Sequence, residues 1–533
     1  MTDALPPRRT TPTGWSLRWD EARAETAYKD GWWRKETCAD LLTKVATETP
    51  ERVLVAQDDM ALTARGLHEK AGRLSGALLA RFQPGSVISM MLPNWHEAAI
   101  IYHAVTLAGM VINPILPSLR DHELKFILSD VKARIVFIPA QFRGHDYGAM
   151  LARVCAQLET PPEVIALRGS GDELGALLAE THFTPLPVID PDDVKMVMYT
   201  SGTTGKPKGV IHTHNSLGAL IRQLGAHWLI AAGDSFLVPS PISHIGGSIY
   251  AFEMPLMLAT RVQLMEQWDA DTGAALIDTH RITHMAGATP FLRGLLDAAK
   301  ARGTRLPSLK LFICGGASVP PALICEARGA FDHAIVSRVY GSTEVPVTTV
   351  GTIAANDITH AAESDGTPGI AGVRLTDNDE ICARGPQMLL GYINPNDEAG
   401  AFDPEGYYRT GDQGAWVDRQ YLVVTGRIKD IIIRNGENIA PKEIEDLLVA
   451  HPDISEAALV GIPDPRTGER AVAVLVTREG AAPDVPALAA FLSGHGVAKF
   501  KYPEAVVIRD TLPKNDAGKV LKNALRDQLR VRD

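Results

Sequence analysis

From Val87 onward, short apolar runs alternate with stretches whose apolar residues recur every three to four positions. SVISMML (86–92) reads as a strand. NWHEAAIIYHAVTLAG (94–109) reads as a helix, with Asn94 predicted as its N-cap and Gly109 as its terminator. HELKFILSD (122–130) and RIVFIP (134–139) repeat the pair, and the rhythm resumes from DSFLVP (234–239) to AIVSRVY (334–340). Such alternation predicts parallel sheets covered by helices. Between about 345 and 425 helical periodicity fades, and VRLTD, EICARG and YLVVTG predict a small antiparallel β unit. After GRIKD (426–430) a shorter rhythm begins: DIIIR, PKEIEDLLVAH, EAALVGI, RAVAVLVTR, DVPALAAFLSG and EAVVIRD. The expected fold is α/β. A large N-terminal domain (1–428) has two helix-covered, mainly parallel sheets plus the β unit; a smaller α+β domain (429–533) follows, with the boundary near Arg427 to Asp430.

At 533 residues the chain exceeds one ordinary core, which agrees with two domains. Hydrophobic residues at 45% and charged residues at 22% are globular averages and argue against extensive disorder. A net charge of −10, with no sustained Lys/Arg stripe, argues against a duplex nucleic-acid partner, so any polyphosphate must meet a local site. The five cysteines are scattered and never spaced as C-x-x-C, which favours a reducing, cytoplasmic setting over disulfides or zinc. No apolar run reaches the ~18 residues of a membrane span, and the N-terminus has no secretory h-region. A homodimer is left open.

Chemistry concentrates in YTSGTTGKPKGV (199–210). The Walker pattern G-x-x-x-x-G-K-[ST] is not met, because Gly202 and Gly205 are three apart and proline follows Lys206. Pro207 and the strand-like GVIH instead predict strand, loop, strand, then a helix beginning near Asn215. Glycines 202, 205 and 209 permit close backbone approach. Thr200, Ser201, Thr203 and Thr204 offer hydroxyl donors, and Lys206 and Lys208 supply charge. On composition alone a polyanion cradle and a solvated Gly/Ser/Thr hairpin are equally good readings.

YTSGTTGKPKG resembles the phosphate loop of the adenylate-forming superfamily, which includes acyl-CoA synthetases, aryl-CoA ligases, luciferases and adenylation domains. YGSTE (340–344), YRTGD (408–412), GRIKDIIIRNGENIAPKEIE (426–445) and PKNDAGKVLK (513–522) follow in that family's order, so the likeness spans essentially the whole chain. The segment AYKDGWWRKETCADLLTKVA also looks like bacterial cyclohexanecarboxylate-type and medium-chain CoA ligases.

The resemblance implies ATP, Mg²⁺ and coenzyme A. Two anions must then react, so catalysis is mainly charge neutralisation and alignment. It implies that Thr200, Ser201, Gly202, Thr203, Thr204, Gly205, Lys206 and Lys208 hold phosphate. By the same resemblance Tyr340, Gly341 and Ser342 belong to the nucleotide site, Thr343 contacts the α-phosphate, and Glu344 with Thr200 holds Mg²⁺. Gly315, Gly316 and Ala317 wall the adenine, Asp412 accepts from the ribose hydroxyls, and Arg427 contacts ribose or phosphate. Lys519 neutralises charge during adenylation, and Lys429 is the hinge about which the small domain swings. Gly436 then lines a pantetheine tunnel, and His244 gates the acyl site. Asn515 stands where many members carry Thr, and KVLK replaces a common KIxR.

Amino-acid-activating members place an aspartate after the gate. None occurs between His244 and Leu256, and Glu253 could face either way. The small residues Gly246, Gly247 and Ser248 are expected to leave volume, with ATPFLRG (288–294) as another wall. The expected activity is ATP-dependent carboxylic acid:CoA ligation on a medium-chain, alicyclic or aromatic acid. Loading of a carrier protein is the alternative enzyme, and a silent nucleotide-sensing scaffold is the non-enzymatic one.

Overall fold

The computed structural model describes the chain except for residues 1–7, 13, 180–184, 201–205, 317–318, 436, 465, 479, 516–517 and 531–533. Two large sheets dominate the N-terminal part. In spatial order the six-stranded sheet is Glu163–Leu167, Ile135–Pro139, Val87–Met90, Val111–Pro114, Val194–Thr200 and Lys208–Thr213, parallel except for the last pair. The seven-stranded sheet is Ile335–Arg338, Leu311–Cys314, His284–Gly287, Ser235–Val238, Arg261–Leu264, Val53–Gln57 and Met60–Thr63, antiparallel only at its final pair. Helices fill the space between the sheets. His96–Leu107 is buried at every position from Ala98 to Leu107, as a helix enclosed on all sides must be. One hydrophobic cluster accordingly joins Ile88, Met90 and Ile112 of one sheet to Phe236, Val238 and Leu264 of the other.

The β unit is a four-stranded antiparallel sheet of Gly372–Leu375, Glu380–Arg384, Tyr408–Val417 and Tyr421–Arg427. Beyond it, Ile432–Arg434, Glu437–Ile439, Ile454–Asp464, Gly468–Thr477 and Ala505–Ile508 form a second small sheet, packed by Pro441–Val449, Val485–Gly494 and Lys522–Arg530. Its buried clusters contain only residues from 432 onward, so no apolar core crosses the 427–431 segment among the described residues. The fold is therefore a large α/β domain carrying a small α+β domain.

One local expectation fails. Trp95, not Asn94, is the N-cap of His96–Leu107. Asn94 instead donates to the Val238 and Ser240 carbonyls at 3.1 and 2.9 Å and accepts from the Ile242 amide at 3.0 Å. A three-bond tertiary anchor outcompetes a single capping bond. Gly109 does follow the helix, in the left-handed conformation (φ +61°) that its C-terminal turn requires.

Candidate active site

Four neighbouring parallel strands, Ser235–Val238, His284–Gly287, Leu311–Cys314 and Ile335–Arg338, release their loops at one carboxyl edge. This is where open α/β sheets collect ligands. His244, Ala288 to Pro290, Gly315 with Gly316, and Tyr340 to Glu344 all lie just past these strand ends.

The strands on either side of the 201–205 segment pair as expected. Val194–Thr200 pairs antiparallel with Lys208–Thr213 in the register Thr200↔Lys208, and the next helix is His214–His227. Thr200 closes the first strand, whereas Ser201, Gly202, Thr203, Thr204 and Gly205 lie outside the described residues. A Cβ on Gly209 would stand 2.9 Å from Ile393 and 3.1 Å from the Tyr199 ring, so this glycine permits close packing rather than a turn. Lys206 is exposed. Lys208 turns inward, its ammonium 5.2 Å from the Tyr392 ring centre and 3.2 Å from the Asp397 carbonyl.

Tyr392 connects the hairpin to the Thr343–Glu344 turn. Its hydroxyl donates to Glu344 Oε1 at 3.1 Å and lies 3.2 Å from the Tyr408 hydroxyl. Burial and the Glu344 charge push both phenols well above their ordinary pKa. Glu344 is 8% exposed and has no cationic partner among the described residues. A buried carboxylate without a cation is costly, and that position fits Mg²⁺, which needs one or two carboxylates and leans on substrate phosphates and water. The neighbouring Thr343 carbonyl accepts from His212 Nε2 at 2.8 Å, while His212 Nδ1 lies 3.1 Å from Ser216 Oγ. Burial lowers the His212 pKa to about 4, so the ring is neutral and serves as a fixed donor at that carbonyl. A Cβ on Gly341 would stand 2.5 Å from the Val347 amide, and Ser342 closes the turn through its hydroxyl to Val345 N at 3.2 Å.

A second group forms where the β unit meets this edge. Asp412, 7% exposed, accepts from the Tyr340 hydroxyl at 2.7 Å and pairs with Arg427 Nε at 2.8 Å. It lies on a strand directly opposite Arg427. Burial works against the Arg427 charge, but Asp412 outweighs it and the pKa is raised. Lys519 reaches the same group from the C-terminal domain. Its loop is closed by Asn515, whose side chain accepts the Lys519 amide at 2.8 Å. Gly518, at φ +79°, seats against Pro290 and Ala288 of the large domain. Burial, then the Arg427 charge, pushes the Lys519 pKa down to about 8.

Other expected residues separate. Gly316, at φ +81°, faces open space, whereas a Cβ on Gly315 would stand 2.8 Å from the Val339 carbonyl oxygen. Ala317 and Gly436 lie outside the described residues; Arg434 and Glu437, which flank the latter, pair as a hairpin. Lys429 is exposed in the 3₁₀ turn Ile428–Asp430, whose Asp430 accepts from Arg526 at 3.0 Å.

His244 is half-buried at the start of Ile245–Ala251. The volume expected beyond it is narrower than the small residues suggest. A Cβ on Gly247 would stand 2.1 Å from the Pro241 carbonyl oxygen, so that glycine serves a close approach, whereas one on Gly246 would meet only the Tyr250 side chain, at 3.6 Å or more. Glu253 turns into the core. With both side chains 1% exposed, it pairs with Lys195 Nζ at 2.6 Å and accepts from Tyr102. Sequence reasoning missed Tyr392, Tyr408 and His212; of these, only Tyr408 carried a signal, as the first residue of YRTGD.

This architecture and constellation define an adenylate-forming enzyme, and the chain belongs to that family: residues 42–393 match the AMP-binding enzyme model and residues 443–519 the AMP-binding enzyme C-terminal domain. It is similar to a medium-chain fatty-acid–CoA ligase of Escherichia coli K12, 32% identical and covering 96% of this chain and 94% of that one. A 3-[(3aS,4S,7aS)-7a-methyl-1,5-dioxo-octahydro-1H-inden-4-yl]propanoyl:CoA ligase of Rhodococcus jostii RHA1 is 30% identical, covering 92% and 98%. Among solved structures, ATP-bound MatB from Rhodopseudomonas palustris superimposes with a TM-score of 0.82 at 27% identity, covering 92% and 99%. Among the described residues, no helix is long and apolar enough to cross a membrane.

Proposed function

We propose that this ATP-dependent, AMP-forming acid:CoA ligase activates a carboxylic acid with an uncharged, mainly apolar tail: a medium-chain fatty acid, or an alicyclic or aromatic acid. The observation that carries the substrate class is Glu253. It is the only carboxylate from His244 to Leu256, and it is neutralised internally by Lys195 and Tyr102. No carboxylate in that stretch is left for a substrate ammonium. The E. coli and R. jostii relatives, which act on a fatty acid and on a fused-ring propanoyl group, support the same class.

In the first half-reaction the substrate carboxylate oxygen bonds to the α-phosphorus of ATP as the bond to pyrophosphate breaks. The hairpin lysines 206 and 208 meet the phosphates, Thr343 contacts the α-phosphate, and Lys519 neutralises charge between the two anions. Glu344, with Thr200, would hold Mg²⁺, which supplies further neutralisation of phosphate oxygens. Asp412 accepts from the ribose hydroxyls and Arg427 fixes that carboxylate. In the second half-reaction the coenzyme A thiol sulfur bonds to the acyl carbon, the thiol proton is released, and AMP leaves. We assign residues 1–428 and 429–533 to two domains hinged at 427–430. Support comes from the separate apolar cores, since domains joined by a polar contact move by default. Five free cysteines support a reducing, cytoplasmic location.

The test is a panel of linear, alicyclic and aromatic acids, and zwitterionic amino acids, assayed for AMP release with free coenzyme A and no carrier protein. Turnover of the acids with uncharged tails alone is expected. A preference for amino acids, or a requirement for an added carrier, would overturn the reading.

A further inference from the structure

The acyl region contains a polar group that the apolar-substrate reading does not use. Tyr250 is packed between Trp228 and Phe236, each with ring centroids 6.0 Å away, and is 8% exposed. Among the described residues its hydroxyl has no hydrogen-bond partner. Burial alone raises its pKa, with no bonded or charged neighbour contributing. Other buried tyrosines behave differently: Tyr102 donates to Glu253, Tyr340 to Asp412 and Tyr392 to Glu344. The Tyr250 hydroxyl is not fully enclosed, so it borders accessible space and is free to donate to a ligand oxygen that reaches it.

The hydroxyl's surroundings indicate where an acceptor would come from. Gly246 is one helical turn before Tyr250, and a Cβ there would stand 3.9 Å from the Tyr250 hydroxyl and 3.6 Å from its ring. Gly246 is half-buried and two residues beyond His244, whereas Gly247 to Tyr250 are closed off. The missing side chain at 246 therefore leaves a Cβ-sized space beside the Tyr250 ring and hydroxyl, next to the half-buried start of this helix. Tyr250 is six residues past His244, about 9 Å along the helix, so the donor sits partway down an acyl tail rather than at its carboxylate.

We infer that Tyr250 is a specificity-determining residue, donating a hydrogen bond to an oxygen acceptor, a ketone or ether, carried within the tail of the acyl group. This rests on the proposed apolar acid:CoA ligase reading and deepens it: the preferred acid is mainly hydrocarbon but oxygenated at mid-length. A plain hydrocarbon tail leaves the phenol unpaired, whereas a correctly placed carbonyl satisfies it. Sites built around such a donor discriminate against the analogue that lacks the partner.

The experiment measures kcat/KM for octanoic acid and for its monoketo analogues with the carbonyl stepped along the chain, on the wild-type enzyme and on Tyr250→Phe. One ketone position is expected to exceed octanoate by about tenfold in the wild type. In Tyr250→Phe that advantage should vanish while octanoate turnover stays within about twofold. Gly246→Val, which fills the space beside the ring without touching the phenol, should lower kcat/KM for that ketone at least as much as for octanoate. Octanoate turnover without a ketone preference, or a preference that survives in Tyr250→Phe, overturns the inference and leaves the ligase reading standing. Failure of the wild type on both series, with amino acids turned over instead, removes the ligase reading and this inference together.

Discussion

Lys519 carries a prediction with a defined pH window. Its pKa falls from the ordinary 10.5 to about 8, first through burial and then through the Arg427 charge. The shift of roughly two and a half units corresponds to at most about 3 kcal/mol against the ammonium form; partial solvent access reduces this to roughly 1–2 kcal/mol. The charged form is the disfavoured one, so this penalty is fully present below pH 8 and is relieved as pH rises from about 8 to 10.5. Activity runs the opposite way, because the proposed role needs the charge. For pyrophosphate release, kcat/KM for ATP, which reports the free enzyme, should be level at neutral pH and fall about tenfold per unit above about pH 8. Thioester formation from supplied acyl-adenylate should show no limb there. Lys519→Arg keeps the charge at all accessible pH, so its limb should disappear even if its absolute rate is lower. Lys519→Ala should lose adenylation at every pH and retain thioester formation. A limb near pH 8 that persists in Lys519→Arg would refute the assignment.

Lys429→Pro should do the reverse of Lys519→Ala, sparing pyrophosphate release and depressing thioester formation, because proline fixes φ in the turn proposed as the hinge. Stopped-flow measurement of the two half-reactions decides this, and equal retention of both removes the hinge. Lys195→Met should destabilise the large domain by about 3–5 kcal/mol in denaturant titrations, since Glu253 would be left as an uncompensated buried charge. A Lys195→Met, Glu253→Leu double variant should recover much of that loss. An unchanged unfolding midpoint in the single variant would mean that the pair is not a buried ion pair in solution.

The parts of this structure that sequence revealed are those governed by short-range periodicity. The strand–helix rhythm, the antiparallel β unit and the strand pair Val194–Thr200 with Lys208–Thr213 follow from neighbours in the chain, and the Gly202–Gly205 spacing together with Pro207 distinguishes that segment from a Walker loop. Asp412 and Glu344 were recognisable through their motifs. Asn94 was misread because capping preference is local, whereas its partners are 144 to 148 residues away. Glu253 was ambiguous because the surrounding helix is apolar on every side, and only Lys195, 58 residues earlier, fixes its direction. His212 and Tyr392 were hidden for the same reason, meeting Thr343 and Glu344 across 131 and 48 residues. Glycines misled in another way. Gly247 and Gly315 are small because backbone passes close to them, not because they leave room for a ligand.

The same lysine suggests why the two half-reactions can proceed in order. Gly518 seats against Pro290 and Ala288, and among the described residues the apolar cores on either side of residues 427–431 are separate. Among the described residues that arrangement therefore has no shared hydrophobic core, and it bears the cost of placing the Lys519 ammonium beside Arg427. On the proposed assignment, a bound triphosphate and carboxylate offset that cost, because both bring negative charge to the lysine. When pyrophosphate leaves, most of that charge goes with it, and the acyl-adenylate retains only one phosphate charge. The enclosed ammonium is then destabilising again, so electrostatics favours withdrawal of the loop only after adenylation is complete. Ordering would arise from the loss of counter-charge at one buried group, with Asp412 and Arg427 remaining on the nucleotide while Lys519 departs.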